Sequence, residues 1–388
     1  MKKHVAALDG LRGIACLVIF AGHYLHQYDH DSHLAPPFLM HAFSQYGSAV
    51  DLFFAISGFV IFLSINNLRE KLDNTGLFKS YFTSRAFRIL PVYFLLILSY
   101  YYIPFNNKLM NSDMFISSVP PYVYLFFGQT WWMVANHRIG APFVLPSWSL
   151  CTEVFLYVLL FLIVCFISKK HLVNAMAVVA VISCLIRVLI VSESNNLPAV
   201  YYLPISRMDG FMLGGIVALL YTKDRLSWIG TRTLNWILLV CSIGYVTAIV
   251  NIAMYGKYSD AFIYTFYALF FSAVIIRTTK SDISWLSKGP LAYMGTVSYF
   301  VYLFHVPIIF GMSYIKCNIF LNLVLTFGVM MIMATISWYG MEKPLIDRGK
   351  SLNAIPALGS VHRGGCCRKA RDRSADGVIQ SNRRHTVL

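Results

Sequence analysis

Long apolar runs, separated by short polar segments, make up most of this 388-residue chain. A helix crosses a hydrocarbon core about 30 Å thick with roughly 20 mostly apolar residues, and ten stretches approach or exceed that length. They lie at residues 6–25, 50–67, 89–104, 148–168, 171–191, 203–221, 233–251, 261–277, 291–314 and 318–340. The pattern predicts an all-α, polytopic integral membrane protein with about ten transmembrane helices. An eleventh stretch, at 114–134, contains Pro120 and Pro121, and we interpret it as interfacial or re-entrant.

The few charged residues are distributed unevenly along the chain. Hydrophobic residues make up 57% and charged residues 13%, whereas soluble domains carry about 25% charged residues, which excludes an ordinary soluble enzyme and a disordered chain. In a soluble protein the net charge of +15 would suggest a nucleic-acid partner. If the N-terminus is cytoplasmic, however, 26 of the 32 Lys and Arg residues lie on the cytoplasmic side, four on the other side and two within spans. Because cytoplasmic loops carry the Lys and Arg excess, we expect both termini in the cytoplasm and no nucleic-acid partner.

The two ends of the chain differ from the spans between them. The first residues resemble a secretory signal, but Asp9 and Arg12 interrupt the apolar run and no small-residue cleavage motif follows, so we expect an uncleaved first helix. Residues 349–388 are basic and poor in large apolar groups, which predicts a disordered cytoplasmic tail after a membrane domain at 1–348. The eight Cys residues form no CxxC pair, so neither a disulfide framework nor a metal site is expected.

Ionisable residues in the first span are candidates for function, because a charge inside a membrane is costly. Asp9 and Arg12 are three residues apart and can pair on one helix face. His23 follows Arg12 by eleven residues, so it returns to nearly the same face about 16 Å further along the axis. One face thus carries a cation near the cytoplasmic boundary and an imidazole near the outer end. An interfacial anchor and a headgroup-facing histidine are the alternative.

Two acidic residues lie within later spans. Asp51 begins the second span at the depth of His23, where a carboxylate can orient the imidazole or simply favour a helix N-terminus. Glu153 lies in the fourth span, close to Trp148, Ser149 and Tyr157. An intramembrane Glu predicts a polar cavity even if its only role is to be a hydrogen-bonded structural residue.

Three more polar residues lie in the sixth and ninth spans. Arg207 and Asp209 open the sixth span, where a local ion pair is the alternative to a role in a pore. His305 lies in the middle of the ninth span, two residues before Pro307, which bends a helix. A hydrogen-bonded structural histidine is the alternative there.

A basic segment, FKSYFTSRAFRILPVYF, begins before the third span, and we interpret its first part as a cytoplasmic loop. Arg85 and Arg88 are three residues apart, so both project from one side of a helical turn, beside Lys79. Planar guanidinium groups suit bidentate contacts with phosphate. Ordinary cytoplasmic arginines that contact lipid phosphate are the alternative.

In their order along the chain, seven segments resemble the successive motifs of the membrane-bound acyltransferase 3 family. They are LDGLRGIA with His23 eleven residues after Arg12, VDLFFAISGFVI, SRAFRILPVYF, PSWSLCTEVFLY, RMDGFMLGG, SYFVYLFHVPI and YGMEKPLI. The resemblance covers residues 6 to about 348. Members of this family are polytopic enzymes that O-acylate sugars and some other acceptors, so the resemblance implies a multi-pass protein of a bacterial inner membrane.

The resemblance also implies roles for individual residues. His23 matches the essential first-helix histidine of the family and Arg12 its first-helix arginine. The implied catalytic set is His23, Asp51, Glu153 and Arg12. Arg85 and Arg88 match an RxxR motif that the family assigns to the acyl-CoA side, and we add Lys79 from the same basic segment. Arg207 and His305 fall where members carry polar residues of the central pore, and to these candidate pore and substrate-binding residues we add Asp9, Ser149, Tyr157, Asp209 and Trp148 from the pattern of the spans.

Two departures from the family pattern limit what the resemblance implies. Relatives usually carry two adjacent acids in the fourth span, whereas Glu153 is followed here by Val154, which puts in doubt any mechanism that needs both carboxylates. Relatives often carry a fused extracytoplasmic SGNH hydrolase-like domain, and the segment after residue 348 is too short for one. The membrane domain, alone or with a separate partner, is therefore expected to complete the transfer.

The combined hypothesis is a membrane O-acyltransferase, most simply an O-acetyltransferase. It would move an acyl group from cytoplasmic acyl-CoA, a cosubstrate rather than a bound cofactor, to a hydroxyl of a saccharide or lipid-linked glycan such as O-antigen lipopolysaccharide or exopolysaccharide. The pantetheine arm would follow a polar channel along the first helix to His23, the general base, with Asp51 orienting it. The acceptor would stack on outer-side aromatics, for which the candidates are Tyr122, Tyr124, Trp131, Trp132 and Trp148. A transporter or flippase of a lipid-linked saccharide, with buried ionisable residues as a proton relay, is the alternative.

Overall fold

The computed structural model describes residues 5–32, 40, 43, 45–102, 119–193, 196–251, 259–280, 283–315 and 317–359. Across these residues the chain forms helices and no strand. The helices are α1 Ala7–Ser32, α2 Ala49–Arg69, α3 Asn74–Tyr102, α4 Pro121–Leu125, α5 Gln129–Ala135, α6 Ser147–Phe166, α7 Leu172–Glu193, α8 Leu197–Tyr202, α9 Met208–Thr222, α10 Thr231–Asn251, α11 Ser259–Lys280, α12 Ser284–Ser287, α13 Pro290–Ser313, α14 Ile319–Ser337 and α15 Lys343–Gly359. A 3₁₀ turn, Tyr46–Ser48, leads directly into α2, and a π-helical turn, Trp338–Glu342, joins α14 to α15.

Eight of the described helical segments are long and apolar enough to cross a membrane. They are Ala7–Gln27, Tyr46–Arg69, Asn74–Tyr102, Ser147–Phe166, Leu172–Glu193, Ala261–Lys280, Pro290–Ser313 and Ile319–Asn353. The other two stretches predicted to span coincide with α9, which is shorter, and with α10. The all-α, polytopic architecture is confirmed, while the count of ten and the cytoplasmic placement of both termini stay predictions.

Two segments predicted to be non-helical or non-spanning can be compared with the structure. In the described part of residues 114–134 the chain forms only the short helices α4 and α5, and residues 114–118 lie outside the described residues. The segment predicted to be a tail is helical in α15 as far as Gly359, and residues 360–388 lie outside the described residues.

The expectation of a loop before the third span is wrong, because α3 begins at Asn74 and runs through the basic segment without a break. Its first half buries Leu77, Ser80 and Tyr81, so packing supports helix there as well as in the apolar half. Pro91 lies inside the helix, as is tolerated in membrane helices whose neighbours satisfy the freed backbone groups. Arg85 and Arg88 are therefore held on a rigid helix.

Glycines allow the central helices to approach each other closely. A Cβ at Gly295 of α13 would overlap the backbone of Asp9 on α1, and a Cβ at Gly58 of α2 would overlap the backbone of Phe211 on α9. Small residues of this kind let membrane helices pack backbone against backbone. The contacts α1–α13 and α2–α9 thereby fix the helices that carry His23, Asp51 and His305.

Two fully buried ion pairs cross-link the helices around α9. Arg207 Nη2 donates to Asp51 Oδ1 of α2 at 2.8 Å, and Arg187 Nη2 of α7 donates to Asp209 Oδ2 at 2.7 Å. Thr265 of α11 also donates to Asp209 Oδ2. Each buried charge is thus neutralised by a partner on another part of the chain, as a low-dielectric interior requires.

We expect Asp51→Ala to destabilise the protein, because it leaves the guanidinium of Arg207 buried without its carboxylate. Removing one partner of a buried pair typically costs about 3–5 kcal/mol of unfolding free energy. Thermal unfolding in detergent, followed with a thiol-reactive dye that reports exposure of the buried Cys16 and Cys151, measures the change.

The control is Asp347→Ala, which removes the partner of Lys350 in an ion pair whose side chains are exposed. That variant should unfold at the wild-type temperature, since solvent screens exposed pairs. Equal melting temperatures for both variants would contradict a structural role for the Asp51–Arg207 pair.

Candidate functional site

Three arginines and one glutamate share a cavity of about 90 Å³ between α1, α2, α3, α6 and α13. We call it the arginine cavity, defined by Arg12, Arg85, Arg88 and Glu153. The remaining polar residues of its lining are Ser57, Ser149, Tyr157, Ser298, Tyr299 and Tyr302. Six of the lining residues, from α1, α3 and α6, are candidates that the sequence indicated: Arg12, Arg85, Arg88, Ser149, Glu153 and Tyr157.

Glu153 is held by two hydroxyl groups. Ser57 Oγ of α2 donates to Glu153 Oε1 at 2.8 Å, and Tyr157 OH, one turn further along α6, donates to Oε2 at 2.8 Å. Both carboxylate oxygens are therefore oriented, and the group lines the same cavity as the three arginines. Among the residues that line the cavity, Glu153 is the one acid and faces three guanidinium groups.

The three arginines differ in exposure. Arg12 pairs with Asp9 across 3.2 Å, as predicted from their spacing. Arg88 is exposed, and Arg85 is half-buried, with a buried Nε that has no hydrogen-bond partner in the described part of the chain. A buried, unpartnered guanidinium N–H beside two further cations is suited to an anion that carries several acceptor oxygens.

His23 lies near the other end of α1 from Arg12, because α1 is one unbroken helix. Its ring contacts two others: the Tyr46 ring at 4.7 Å between centroids and the His305 ring of α13 at 4.8 Å. We call His23 and His305 the histidine pair. Sequence spacing gave no indication that His305 would lie beside His23, since the two are on different spans.

The hydrogen bonding of His305 assigns its tautomer. Its Nδ1 lies 2.6 Å from the carbonyl oxygen of Tyr302, and because a carbonyl only accepts, Nδ1 carries the proton. In the neutral ring Nε2 is then an acceptor, and it is buried without a hydrogen-bond partner among the described residues. The side of this ring opposite to Tyr302 is therefore able to accept a proton or a hydrogen bond.

Tyr302 separates the arginine cavity from the histidine pair. Its hydroxyl accepts from Ser149 Oγ at 2.8 Å and lines the cavity, while its carbonyl holds His305. His23 does not line the arginine cavity, so the single open channel expected along α1 is not seen. Tyr302 contacts both groups, because it lines the cavity and its ring centroid lies 5.9 Å from that of His305.

The expected contact between Asp51 and His23 is not formed. The carboxylate of Asp51 pairs with Arg207 instead. Leaving a fully buried guanidinium without a counter-ion costs more free energy than leaving a neutral imidazole without a carboxylate. The local pair Arg207–Asp209, weighed as an alternative from the sequence, is wrong as well. Residues two apart on a helix do not face each other, and Asp209 binds Arg187 of α7.

Three other candidates lie away from the expected positions. Lys79 is exposed and does not line the arginine cavity. Tyr124 and Trp148 are buried and cannot serve as open stacking faces, since Tyr124 packs in the core and Trp148 packs on Tyr201 at 4.6 Å. Tyr122 and Trp131 are exposed, and Trp132 packs at the edge of the core.

Sequence reasoning missed three residues that the structure puts close to these groups. Tyr302 is one turn before His305, and its place in the SYFVYLFH segment was the available signal. Arg187 lies within a predicted span, and that intramembrane charge was the available signal, whereas Tyr46 had none, since its partner His23 lies on another helix. In the described residues, no three His, Cys, Asp or Glu side chains converge as metal ligands would.

Comparison with known proteins gives a consistent result. Residues 5–342 match the family of acyltransferase domains known as acyltransferase 3. The chain is 26% identical over 374 residues to a Bacillus subtilis protein named "Putative peptidoglycan O-acetyltransferase YrhL", covering 89% of this chain and 56% of that protein. It is 25% identical over 333 residues to "Peptidoglycan O-acetyltransferase OatA" of Listeria monocytogenes, covering 79% of this chain and 50% of that protein.

This chain thus spans little more than half the length of the curated relatives it matches. No solved structure matches it. The family match extends over nearly all of the helical part of the chain and includes both the arginine cavity and the histidine pair. The chain is therefore an integral, multi-pass membrane protein that belongs to the acyltransferase 3 family.

Proposed function

We propose that this protein transfers an acyl group, most simply acetyl, from cytoplasmic acyl-CoA to a hydroxyl of a saccharide on the other side of the membrane. The observation that carries the proposal is the arginine cavity, in which three cations face one acid. Diphosphate and phosphate groups such as those of CoA offer acceptors for planar guanidinium forks. Arg88, being exposed, would meet the phosphates first, with Arg85 and Arg12 deeper.

His23 is the proposed general base. A neutral imidazole takes the proton of the acceptor hydroxyl while the hydroxyl oxygen attacks the thioester carbonyl carbon. A C–O bond forms, the C–S bond breaks, and the leaving CoA sulfur takes the proton back from the imidazolium. The products are an ester and free CoA, so no further reactant is needed. The thioester reaches His23 past Tyr302, whose side chain must move for this step.

His305 takes over the orienting role that the sequence had suggested for Asp51. Its Nδ1 is held by the Tyr302 carbonyl, and its buried Nε2 is available to accept a hydrogen bond from the ring of His23. Such a bond would fix which nitrogen of His23 faces the acceptor, as the orienting group does in other general-base pairs. His305 acts in this proposal through His23 and is a positioning residue.

The acceptor is a cell-surface glycan in this proposal. The names of the relatives refer to peptidoglycan, which makes it the first acceptor to test. O-antigen and exopolysaccharide, the acceptors considered from the sequence, are the next. A transporter or flippase of a lipid-linked saccharide would consume no acyl-CoA, so release of free CoA separates it from an enzyme.

We expect Arg85→Ala and Arg88→Ala to raise the KM for acetyl-CoA. Loss of one charge-assisted hydrogen bond costs about 1.5–3 kcal/mol, which corresponds to roughly a 10- to 150-fold weaker interaction. The measurement is CoA release by purified protein as a function of acetyl-CoA concentration. Lys170→Ala, which removes an exposed cation from the α6–α7 loop, is the control and should keep the wild-type KM. An unchanged KM in both arginine variants would refute the donor site.

We expect His23→Ala to lower acyl transfer roughly 100- to 10,000-fold, which is the usual contribution of a general base. Transfer of radiolabelled acetyl to peptidoglycan fragments measures it, and the amount of folded protein is checked by gel filtration in detergent. The control is His26→Ala, since the exposed ring of His26 contacts the same Tyr46 ring at 5.4 Å. Wild-type transfer by His23→Ala would exclude the proposed base.

The same assay separates positioning by His305 from a purely structural role. His305→Ala should lower kcat and leave the KM for acetyl-CoA unchanged. His305→Gln retains a side-chain acceptor and should recover part of kcat. Equal losses in both variants, with equal loss of thermal stability, would contradict the positioning role.

A further inference from the structure

A second cavity, of about 390 Å³, shares no lining residue with the arginine cavity. We call it the tyrosine cavity, because Tyr201, Tyr202, Tyr264 and Tyr267 line it, together with Gln45. Its volume falls in the range of small-molecule sites, about 300–1,000 Å³. No charged side chain is among the described lining residues, so the cavity is suited to a neutral ligand and not to CoA.

The chemistry of the lining combines aromatic faces with hydrogen-bonding groups. The two pairs of tyrosines come from α8 and from α11, and the rings of Tyr201 and Tyr202 stand nearly perpendicular, 4.9 Å apart. Burial raises the pKa of the Tyr202 hydroxyl to about 12, so it stays protonated and able both to donate and to accept. The amide of Gln45 adds a donor and an acceptor at the wall.

The buried ion pair described above supports this wall from behind. The guanidinium of Arg207, fixed by Asp51, lies 3.8 Å from the centroid of the Tyr264 ring and 5.2 Å from that of Tyr201. Cation–π contacts of this kind hold rings in place. A wall made of side chains that are fixed before the ligand arrives loses little entropy on binding.

A single short turn joins the tyrosine cavity to the histidine pair. Gln45 lines the cavity, and the next residue, Tyr46, contacts the ring of His23 at 4.7 Å. Gly47 lets the turn approach Tyr201 closely, since an added Cβ would lie 3.1 Å from the tyrosine hydroxyl. A ligand that contacts Gln45 would therefore lie beside the residue that packs against the proposed base.

We infer that the tyrosine cavity binds a sugar unit of the acceptor glycan and presents one of its hydroxyls towards His23. A sugar ring offers apolar C–H faces that pack on aromatic rings and hydroxyls that pair with tyrosine and amide groups. This inference rests on the proposed function and names its acceptor site. It replaces the outer aromatics first suggested from the sequence, of which Tyr124 and Trp148 are buried.

The experiment is protection of an introduced thiol, which does not depend on turnover. Ile139 lines the tyrosine cavity and is exposed, whereas the neighbouring Arg138 is exposed and does not line it. Ile139→Cys and Arg138→Cys are alkylated with a maleimide, and the rate is read at each introduced thiol by peptide mass spectrometry. The probes are chitotetraose and muramidase-released peptidoglycan fragments, with glycerol as a non-glycan control.

We expect at least one glycan probe to slow alkylation of Ile139→Cys about tenfold at saturation and to leave Arg138→Cys unaffected. Adding Leu197→Trp, which fills the cavity from its rim, should abolish this protection. Leu269→Trp, the same change at an exposed position of α11 that does not line the cavity, should not. Protection by neither probe, or equal protection of both thiols, would overturn the inference.

Kinetics with the same variants distinguish failure of this site from failure of the proposed function. Leu197→Trp should raise the KM for the glycan about tenfold or more, whereas Leu269→Trp should leave both that KM and the KM for acetyl-CoA unchanged. If the wild type consumes no acetyl-CoA, the proposed function fails whatever the thiol experiment gives. If it does, and Leu197→Trp matches Leu269→Trp in the KM for glycan, only the acceptor site fails.

Discussion

Charge buried between membrane helices must be neutralised or hydrogen-bonded, and this requirement organises the structure. Around α9 the charges are neutralised in pairs: Asp51 neutralises Arg207 and Asp209 neutralises Arg187. The arginine cavity is lined by three guanidinium groups and one carboxylate, and Arg12 also pairs with Asp9, which does not line the cavity. The remaining excess of guanidinium groups is the basis of the anion site in the proposal.

The two arrangements have different consequences for function. The two ion pairs are structural, and the guanidinium of the Asp51–Arg207 pair contacts rings of the tyrosine cavity. Arg85, with its unpartnered Nε, and His305, with its unpartnered Nε2, are among the groups given chemical roles in the proposal. Tyr302 links the arginine cavity to the histidine pair, since its hydroxyl bonds Ser149 and its carbonyl bonds His305. The arginine cavity is lined in part from α1 and α13, whereas the tyrosine cavity is lined mainly from α8 and α11 and is joined to the histidine pair by the turn that holds Gln45 and Tyr46.

The sequence was sufficient for the spans and for local pairs but not for contacts between helices. Hydropathy found the eight long helices, and three-residue spacing found the Asp9–Arg12 pair, because both are properties of one helix. Arg207 and Asp51 are 156 residues apart, so only helix packing determines that they meet. The proximity of His305 to His23 depends on packing in the same way. The motif resemblance identified these residues as a group, whereas the structure supplied their partners.

In the proposed reaction, donor and acceptor bind on opposite sides of the membrane. Proteoliposomes that contain the purified protein, with labelled acetyl-CoA sealed inside and peptidoglycan fragments outside, test it directly. Molecules inserted in one orientation suffice, so no control of orientation is needed. We expect labelled glycan outside the vesicles when donor and acceptor are separated by the membrane, and none with His23→Ala. Transfer that occurs only when acetyl-CoA and glycan are on the same side would contradict it.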